Sequence, residues 1–448
     1  MDKFPAGFMS MNLYRLFYLN LSHNFLTSTI DQFSYINVNF LDLSFNMFEG
    51  QIPSSICNLS HLDILDLSFN NFIGPFPQCL GNSSQELWVL DLGNNALSGT
   101  IPTTFSECNM LHILVLNDNQ LDGPVPRCLA NCTKLELLDL GSNKINDGFP
   151  LWLETLPNLQ VLILKSNLFH GAIGNCRTGS PFSRLRIVDA SYNEFTGVLP
   201  TKLLHSFKDR QNDHPTGVQY VAGYTYLYYY YIHSMSLVIK GVEYSLERIL
   251  KTLTVIDFSS NRFEGQISEF IGTLHSLQLL NLSHNNLSGH IPRTFGNLFV
   301  LESLDLSWNQ LEGNIPVEIL NLRFLGFLNL SENRLVGRIP QGRHFDTFGN
   351  ESYKGNLALC RLPLTKECGD GDKRPPFNAL GYKQDNESEF FDGFTWKAVL
   401  LGYSCGLVLG LAMGCLVFLT GKPRWFVQIV EESYAMCKRP RKWIHIRN

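Results

Sequence analysis

Apolar residues in this chain follow neither a helical period nor one long alternation; they recur as a block. The stretch Leu59 to Pro77, LSHLDILDLSFNNFIGPFP, reads LxxLxxLxLSxNxFxGxxP. Its centre, an apolar-x-apolar-x-x-Asn hexamer, occurs in register twelve times, closing on Asn24, Asn46, Asn70, Asn95, Asn119, Asn143, Asn167, Asn193, Asn261, Asn285, Asn309 and Asn333. The separations are 22, 24, 25, 24, 24, 24, 26, 68, 24, 24 and 24 residues, which is the signature of a repeat array and not of independent domains.

One copy predicts the architecture of all. In LDLSFN, Leu65 and Leu67 point to one side of a short strand, and Asp66 and Ser68 to the other. So short a strand cannot bury its apolar side alone, but copies stacked at the usual strand spacing of roughly 4.8 Å join their leucines into one core. Asn70 falls where the chain turns away, placed to satisfy backbone groups of adjacent coils. The GxIP segments, such as Gly99 to Pro102 and Gly289 to Pro292, bend the convex side. The expectation is an α/β-type repeat solenoid with a parallel β-sheet on its concave face.

Composition narrows the surroundings. Net charge is −5, and the last 28 residues carry seven Lys or Arg against two Glu, leaving the rest of the chain at −10. So acidic a solenoid argues against a nucleic-acid partner. Nine N-x-S/T sequons stand at Asn20, Asn58, Asn82, Asn131, Asn281, Asn286, Asn329, Asn350 and Asn386, all before residue 398. They read as glycosylation sites on a secreted face. Eight of the eleven cysteines lie on the same side. Cys108 and Cys132 hold the same repeat position one copy apart, within disulfide reach, and Cys57 with Cys79 is a looser pairing of the same kind. Cys128 and Cys176 have no obvious mate in the sequence, and no cysteine shows zinc-ligand spacing.

Ala398 to Thr420 has no charged residue in 23 positions, enough to cross a bilayer core of ~30 Å. Trp396 and Trp425 flank it, and the basic tail places the carboxy terminus in the cytoplasm. Within the span Gly402, Gly406, Gly410 and Gly414 form a stripe suited to close helix packing. Asp385, Glu387, Glu389 and Asp392 precede it as an acidic linker.

The 24-residue spacing with LxGxIP resembles the plant-specific class of extracellular leucine-rich repeats. The ordered set of landmarks is similar to plant receptor-like proteins, the kinase-lacking surface receptors that include the Cf class of resistance proteins. On that resemblance residues 1–208 are leucine-rich repeats, 209–249 an island insertion and 250–342 four further repeats. Residues 343–368 are a cap closed by Cys360 and Cys368, 369–397 the acidic linker, 398–420 the membrane helix and 421–448 the basic cytoplasmic tail. Arg361 stands where the family's LCGxPL motif has glycine. Within the insertion, Ser234 to Ser245 alternates and carries Lys240-Gly241 as a hairpin turn. Its tyrosines are open to two readings, packing the hairpin over the solenoid or touching a ligand or co-receptor. The family opens with a signal peptide and a cysteine-bearing cap that residues 1–20 lack, which reads as a truncated product or an incomplete gene model.

No enzyme can be assembled from this inventory, and no cofactor or metal is expected. There is no Gly-rich phosphate loop or catalytic-loop motif, and the tail is too short for a kinase. His61, His112 and His284 are scattered over different repeats. The resemblance implies a single-pass type I plasma-membrane receptor that binds an extracellular peptide, protein or glycan. It implies signalling through an adaptor receptor-like kinase held by the membrane helix and a co-receptor kinase, in defence. A developmental peptide co-receptor, a secreted wall-associated inhibitor and a non-functional receptor fragment are the alternatives. Candidate ligand contacts are the concave residues just before the ladder asparagines: His23, Phe45, Phe69, Tyr192, His284 and Trp308.

Overall fold

The computed structural model describes residues 2–3, 16–30, 38–81, 86–105, 108, 110–176, 181–207, 219–221, 224–226, 229–231, 235–239, 241–246, 248–342 and 345–368. Residues 398–420 with their glycine stripe, the acidic linker, the basic tail, Asn82 and Asn386 lie outside this set. Among the described residues no helix is long and apolar enough to cross a membrane.

Twelve three-residue strands form one parallel sheet in chain order, from Tyr18–Asn20 to Phe327–Asn329. Register follows the repeat, as in Ile113↔Leu137↔Val161. The 68-residue gap leaves it intact, because Ile187 pairs with Val255 as though the insertion were absent. Inward leucines such as Leu41, Leu65, Leu90, Leu114 and Leu138 are fully buried in one continuous core.

Most of these strands are stopped by their own chemistry, though those ending in Val115 and Ile163 lack the acid. The Asp66 carboxylate accepts the Ser68 backbone N–H at 3.0 Å and the Ser68 hydroxyl at 2.6 Å, a side-chain turn that competes with the ladder. The same pattern recurs at Asp42, Asp189, Asp257 and Asp305. Asn70 then locks the coil to its neighbours. Its Nδ2 donates to the Leu43, Leu67 and Ser68 carbonyls at 2.9, 3.2 and 3.1 Å, and its Oδ1 accepts the Phe48 N–H at 3.0 Å. Every polar atom of that amide is used inside the turn. Asn261 repeats the arrangement across the insertion, donating to the Ala190 carbonyl and accepting from the Phe195 N–H.

The convex side differs from the α/β-type expectation. It is built of five-residue 3₁₀ helices, such as Ser54–Asn58, Arg127–Asn131, Arg293–Asn297 and Val317–Asn321. Among the described residues the one α-helix is Thr201–Leu204. The proline of GxIP sits immediately before each of these 3₁₀ helices and the next strand follows within a few residues, so there is no room for a longer helix. A second set of parallel strands, not anticipated from the sequence, flanks the first as a four-stranded and a seven-stranded sheet. In Asn71–Pro75 its alternation is plain, with Phe72 buried between exposed Asn71 and Ile73.

At the carboxy-terminal end Asn356 is a thirteenth rung that the hexamer search misses, since no apolar pair precedes it. It accepts the Leu335 N–H and donates to the Leu330 and Tyr353 carbonyls, each at 2.9 Å. Cys57–Cys79, Cys108–Cys132 and Cys360–Cys368 are disulfide-bonded, and Cys128 and Cys176 are free.

Stacking places carboxylates side by side. Burial, then Asp91 and Asp42 on the adjoining strands, holds the Asp66 carboxyl well above its ordinary range. Burial and Asp189 push Asp257 up to about 7. Two predictions follow from this construction. Leu67→Ala empties a site with nothing else to fill it, at a typical cost of ~2–5 kcal/mol. Coils support only their neighbours, so hydrogen exchange should quicken around residues 40–95 and stay unchanged around 280–335; uniform loosening would contradict the solenoid. For Asp257, the folded chain keeps a proton that the unfolded chain loses near pH 4, so this group's contribution falls as pH rises from about 4 to 7. Asp257→Asn should therefore raise the melting temperature at pH 8 and flatten its pH dependence between pH 5 and 8; an unchanged slope would contradict the shift.

Candidate functional site

The concave face is the candidate binding surface. Outward strand residues Phe40, Ile64, Val89, Ile113, Leu137, Val161, Ile187, Val255 and Leu279 form a buried apolar column along it. Val221, Leu237 and Ile249 of the insertion join the same cluster. Ahead of this column runs a polar one, in which Trp88 and His112 lie 5.2 Å apart and Gln160 donates to Glu136 at 3.0 Å. Burial lowers the pKa of His112, keeping the imidazole neutral further into the acidic range.

The insertion covers part of this face. Strands Met235–Ile239 and Val242–Leu246 pair antiparallel with Ile239 opposite Val242, and Gly241 is in a turn just before the second strand, while Lys240 lies outside the described residues. Gly241 has φ +73°, and a Cβ there would stand 3.1 Å from the Phe327 ring, so the turn needs glycine for its conformation and for its seat. Beneath it is a small cleft of about 30 Å³ whose lining includes Val255, Asp257, Leu279, Asn281 and Phe327. Leu237, Gly241 and the partly buried Leu246 are what the hairpin presses against the solenoid. Tyr244 is half exposed, and Tyr220 lies under Arg248, whose guanidinium carbon is 5.4 Å from the ring. Side chains of Tyr224, Tyr226 and Tyr229 to Tyr231 fall outside the description.

The residues before the ladder asparagines are not on the strands as expected. Each lies three residues past a strand end, at the rim, with φ between 51° and 56° in all twelve coils. The carbonyl of this slot accepts the next N–H ladder bond, as Phe69 does from Asn46, which fixes the left-handed conformation. Other coils fill the slot with Asn94, Asp118, Ser142, Ser166, Ser260 and Glu332. The rings fall into two columns. His23, Phe45 and Phe69 stack at 4.3 and 4.1 Å, nearly parallel, and His284 stacks on Trp308 at 5.5 Å. Tyr192, 61% exposed, stands alone between Ser166 and Ser260. The stacking was missed in the sequence, although the 22- and 24-residue spacings carry the signal. The two columns are seven coils apart, roughly 34 Å at the usual strand spacing.

Burial, with Glu154 beside it, pushes the Cys176 thiol up to about 11, so it is no nucleophile near neutral pH. Among the described residues no group of His, Cys, Asp and Glu has the arrangement of a metal site.

Family models described as leucine rich repeat match residues 85–145 and 251–311, and residues 37–59 and 61–83. The receptor-like proteins 9DC3 and Cf-9 of Solanum pimpinellifolium are each 54% identical over 247 residues, covering 55% of this chain. Receptor-like protein 19 of Arabidopsis thaliana is 52% identical over 250 residues, again 55% of this chain. The matched stretch is 28% of each Solanum relative and 25% of the Arabidopsis one, so the match spans only about a quarter of their length. Among solved structures, the plant peptide hormone receptor RGFR1 in complex with RGF2 superposes with a TM-score of 0.61 at 26% identity, over 80% of this chain and 52% of that one. The Arabidopsis receptor kinase HAESA, in complex with the peptide hormone IDA and the co-receptor SERK1, gives 0.59 at 29%, over 79% and 55%. Repeats, fold and relatives together show a chain of leucine-rich repeats that folds as the plant receptor ectodomains do and is similar, over the matched stretch, to plant receptor-like proteins.

Proposed function

We propose that the chain belongs to a single-pass plasma-membrane receptor that binds an extracellular ligand along the rim and concave face and signals through a partner receptor kinase in plant defence. One observation carries this reading. The left-handed slot before each ladder Asn suits Asn and Asp, whereas bulky residues there are outliers with a cost of order 1–3 kcal/mol each. Six of the twelve coils nevertheless hold a ring, and Phe45 and Phe69 are 39% exposed and Trp308 55%, so the core gains little from them. Rings kept against backbone preference on an open rim fit a binding role.

Spacing shapes the ligand. A compact group cannot reach both columns, but an extended peptide or protein segment of about ten residues spans roughly 34 Å. Neighbours of this fold hold peptide hormones, which also favours the second reading, a developmental peptide co-receptor. The similarity to Cf-9 supports defence. For signalling, residues 398–420 cross the membrane, and the stripe Gly402, Gly406, Gly410 and Gly414 docks an adaptor receptor-like kinase, with a co-receptor kinase recruited on ligand binding.

Replacing Phe45, Phe69 and Trp308 together by Ser, which Ser142, Ser166 and Ser260 already show in the same slot, should abolish the oxidative burst of leaf tissue challenged with fungal culture filtrate. Surface expression should be intact; an undiminished burst would remove the rim from the binding site. Changing Gly406 and Gly410 to Leu should release the adaptor kinase without preventing insertion, since leucine suits lipid. Co-purification of the kinase at wild-type yield would rule the stripe out as its dock.

A further inference from the structure

The outward residue ending each concave strand is Asp in most coils, but Asn20, Asn281 and Asn329 take its place in three, and each of the three also opens an N-x-S sequon. The structure shows what those amides do. Asn281 Oδ1 accepts the N–H and hydroxyl of its own sequon residue Ser283, at 3.1 and 2.8 Å, and its Nδ2 donates to Asp257 Oδ2 at 3.0 Å. Asn329 does the same with Ser331, at 3.2 and 2.7 Å, and with Asp305 at 3.2 Å. Asn20 repeats the pattern with Ser22 and Asp42 on the edge strand, where it is exposed. Asn thus sets an N–H donor beside a carboxylate where an Asp would set a second carboxylate, the contact that raises Asp257 beside Asp189.

The other described sequons stand elsewhere. Asn58 and Asn131 end the 3₁₀ helices Ser54–Asn58 and Arg127–Asn131, Asn350 opens Asn350–Ser352 in the cap, and Asn286 opens the flanking strand Asn286–His290. All four are exposed. We propose that the fold divides the sequons into two classes: Asn58, Asn131, Asn286 and Asn350 are N-glycan acceptors, whereas Asn281 and Asn329 are structural members of the concave ladder and carry no glycan. Glycans then occupy the convex side, the flank and the cap, and the inner strand face of the last four repeats stays bare.

Attachment joins the Asn side-chain nitrogen to the anomeric carbon of an oligosaccharide carried on a lipid pyrophosphate. One N–H bond and the sugar–phosphate C–O bond break, the pyrophosphate leaves with the bonding pair, and the proton passes to a base of the transferase. This happens on the emerging chain, so the test of compatibility comes at folding. At Asn281 a glycan would enter the cleft under Gly241 and Phe327, where the hairpin sits, and chains so modified cannot close it. A glycan on Asn58 or Asn350 meets only solvent. The proposal shares with the receptor reading the passage of the chain through the secretory lumen, but none of the aromatic rim.

The test is site occupancy in the full chain, expressed behind a secretory leader in plant cells and recovered in its protease-resistant, folded form. Enzymatic deglycosylation in ¹⁸O water should label Asn58, Asn131, Asn286 and Asn350 and leave Asn281 and Asn329 unlabelled. Label at Asn281 or Asn329 comparable to that at Asn58, or absence of label from the four exposed sites, would overturn the division. As a second reading of the same point, Asn281→Asp should leave electrophoretic mobility unchanged while Asn58→Gln loses one glycan's shift. A one-glycan shift in the Asn281 variant would contradict the assignment. Failure of the rim variants in the leaf assay would leave these outcomes untouched, so the two ideas fail separately.

Discussion

A strand of three residues with two leucines on one side cannot fold alone, and everything else in this molecule follows from how it is held against its neighbours. The leucines supply the burial, but burial is not directional and would tolerate sliding. The asparagine prevents it. Its four hydrogen bonds tie its own turn to the coil behind on both sides of that coil's asparagine, and a buried amide left with any of them broken would cost about 1–3 kcal/mol. Register is therefore fixed at every rung, and the distance along the chain between rungs hardly matters. Asn193 and Asn261 are 68 residues apart and bond like neighbours 24 apart, as expected when closing a longer loop adds a cost that grows only with the logarithm of its length. An insertion as large as two coils can be looped out there without disturbing the sheet.

What could be read from the sequence was whatever is local or periodic. Leu65, Leu67 and Asn70 declare their roles within six residues, and a strict period turns one copy into twelve. The Cys108 and Cys132 positions follow from the same arithmetic. What could not be read depends on competition or on contacts between distant segments. Whether the stretch after GxIP becomes α-helix or 3₁₀ turn depends on how little chain is left before the next strand. Asn356 escapes notice because Tyr353, fully buried, stands where a leucine pair would have announced it. Gly241 reads as half of a hairpin turn, while its seat on Phe327 links residues 86 positions apart, which no local pattern records.

The aromatic rim shows how the same constraint produces a surface. Ladder bonding forces the residue before each Asn into the left-handed region, which lifts its side chain away from the core and onto the edge of the face. The left-handed conformation is common to all twelve coils, so the slot varies in chemistry but not in position, and a ring there is held at a larger backbone cost than Asn or Asp. Where successive coils choose rings, the strand spacing stacks them, as in His23, Phe45 and Phe69. Stacked rings are stiff and lose little entropy when a partner covers them, which suits them to recognition better than flexible charged residues.

Charge contributes less to that recognition than composition implies. The formal −10 before the tail counts every aspartate as ionised, yet several of them end adjacent concave strands and sit buried against one another. Asp66 holds its proton well above the ordinary carboxylate range, and Asp257 does so up to about pH 7. In the last repeats Asn281 and Asn329 break the run of acids and donate to Asp257 and Asp305 instead. The field over the concave strands is thus weaker than the sequence total, and its acids are committed to ending strands. Under the proposed receptor reading, a ligand lying on this face would meet rings at the rim and satisfied polar groups within, and would be selected by shape and ring contact more than by opposite charge.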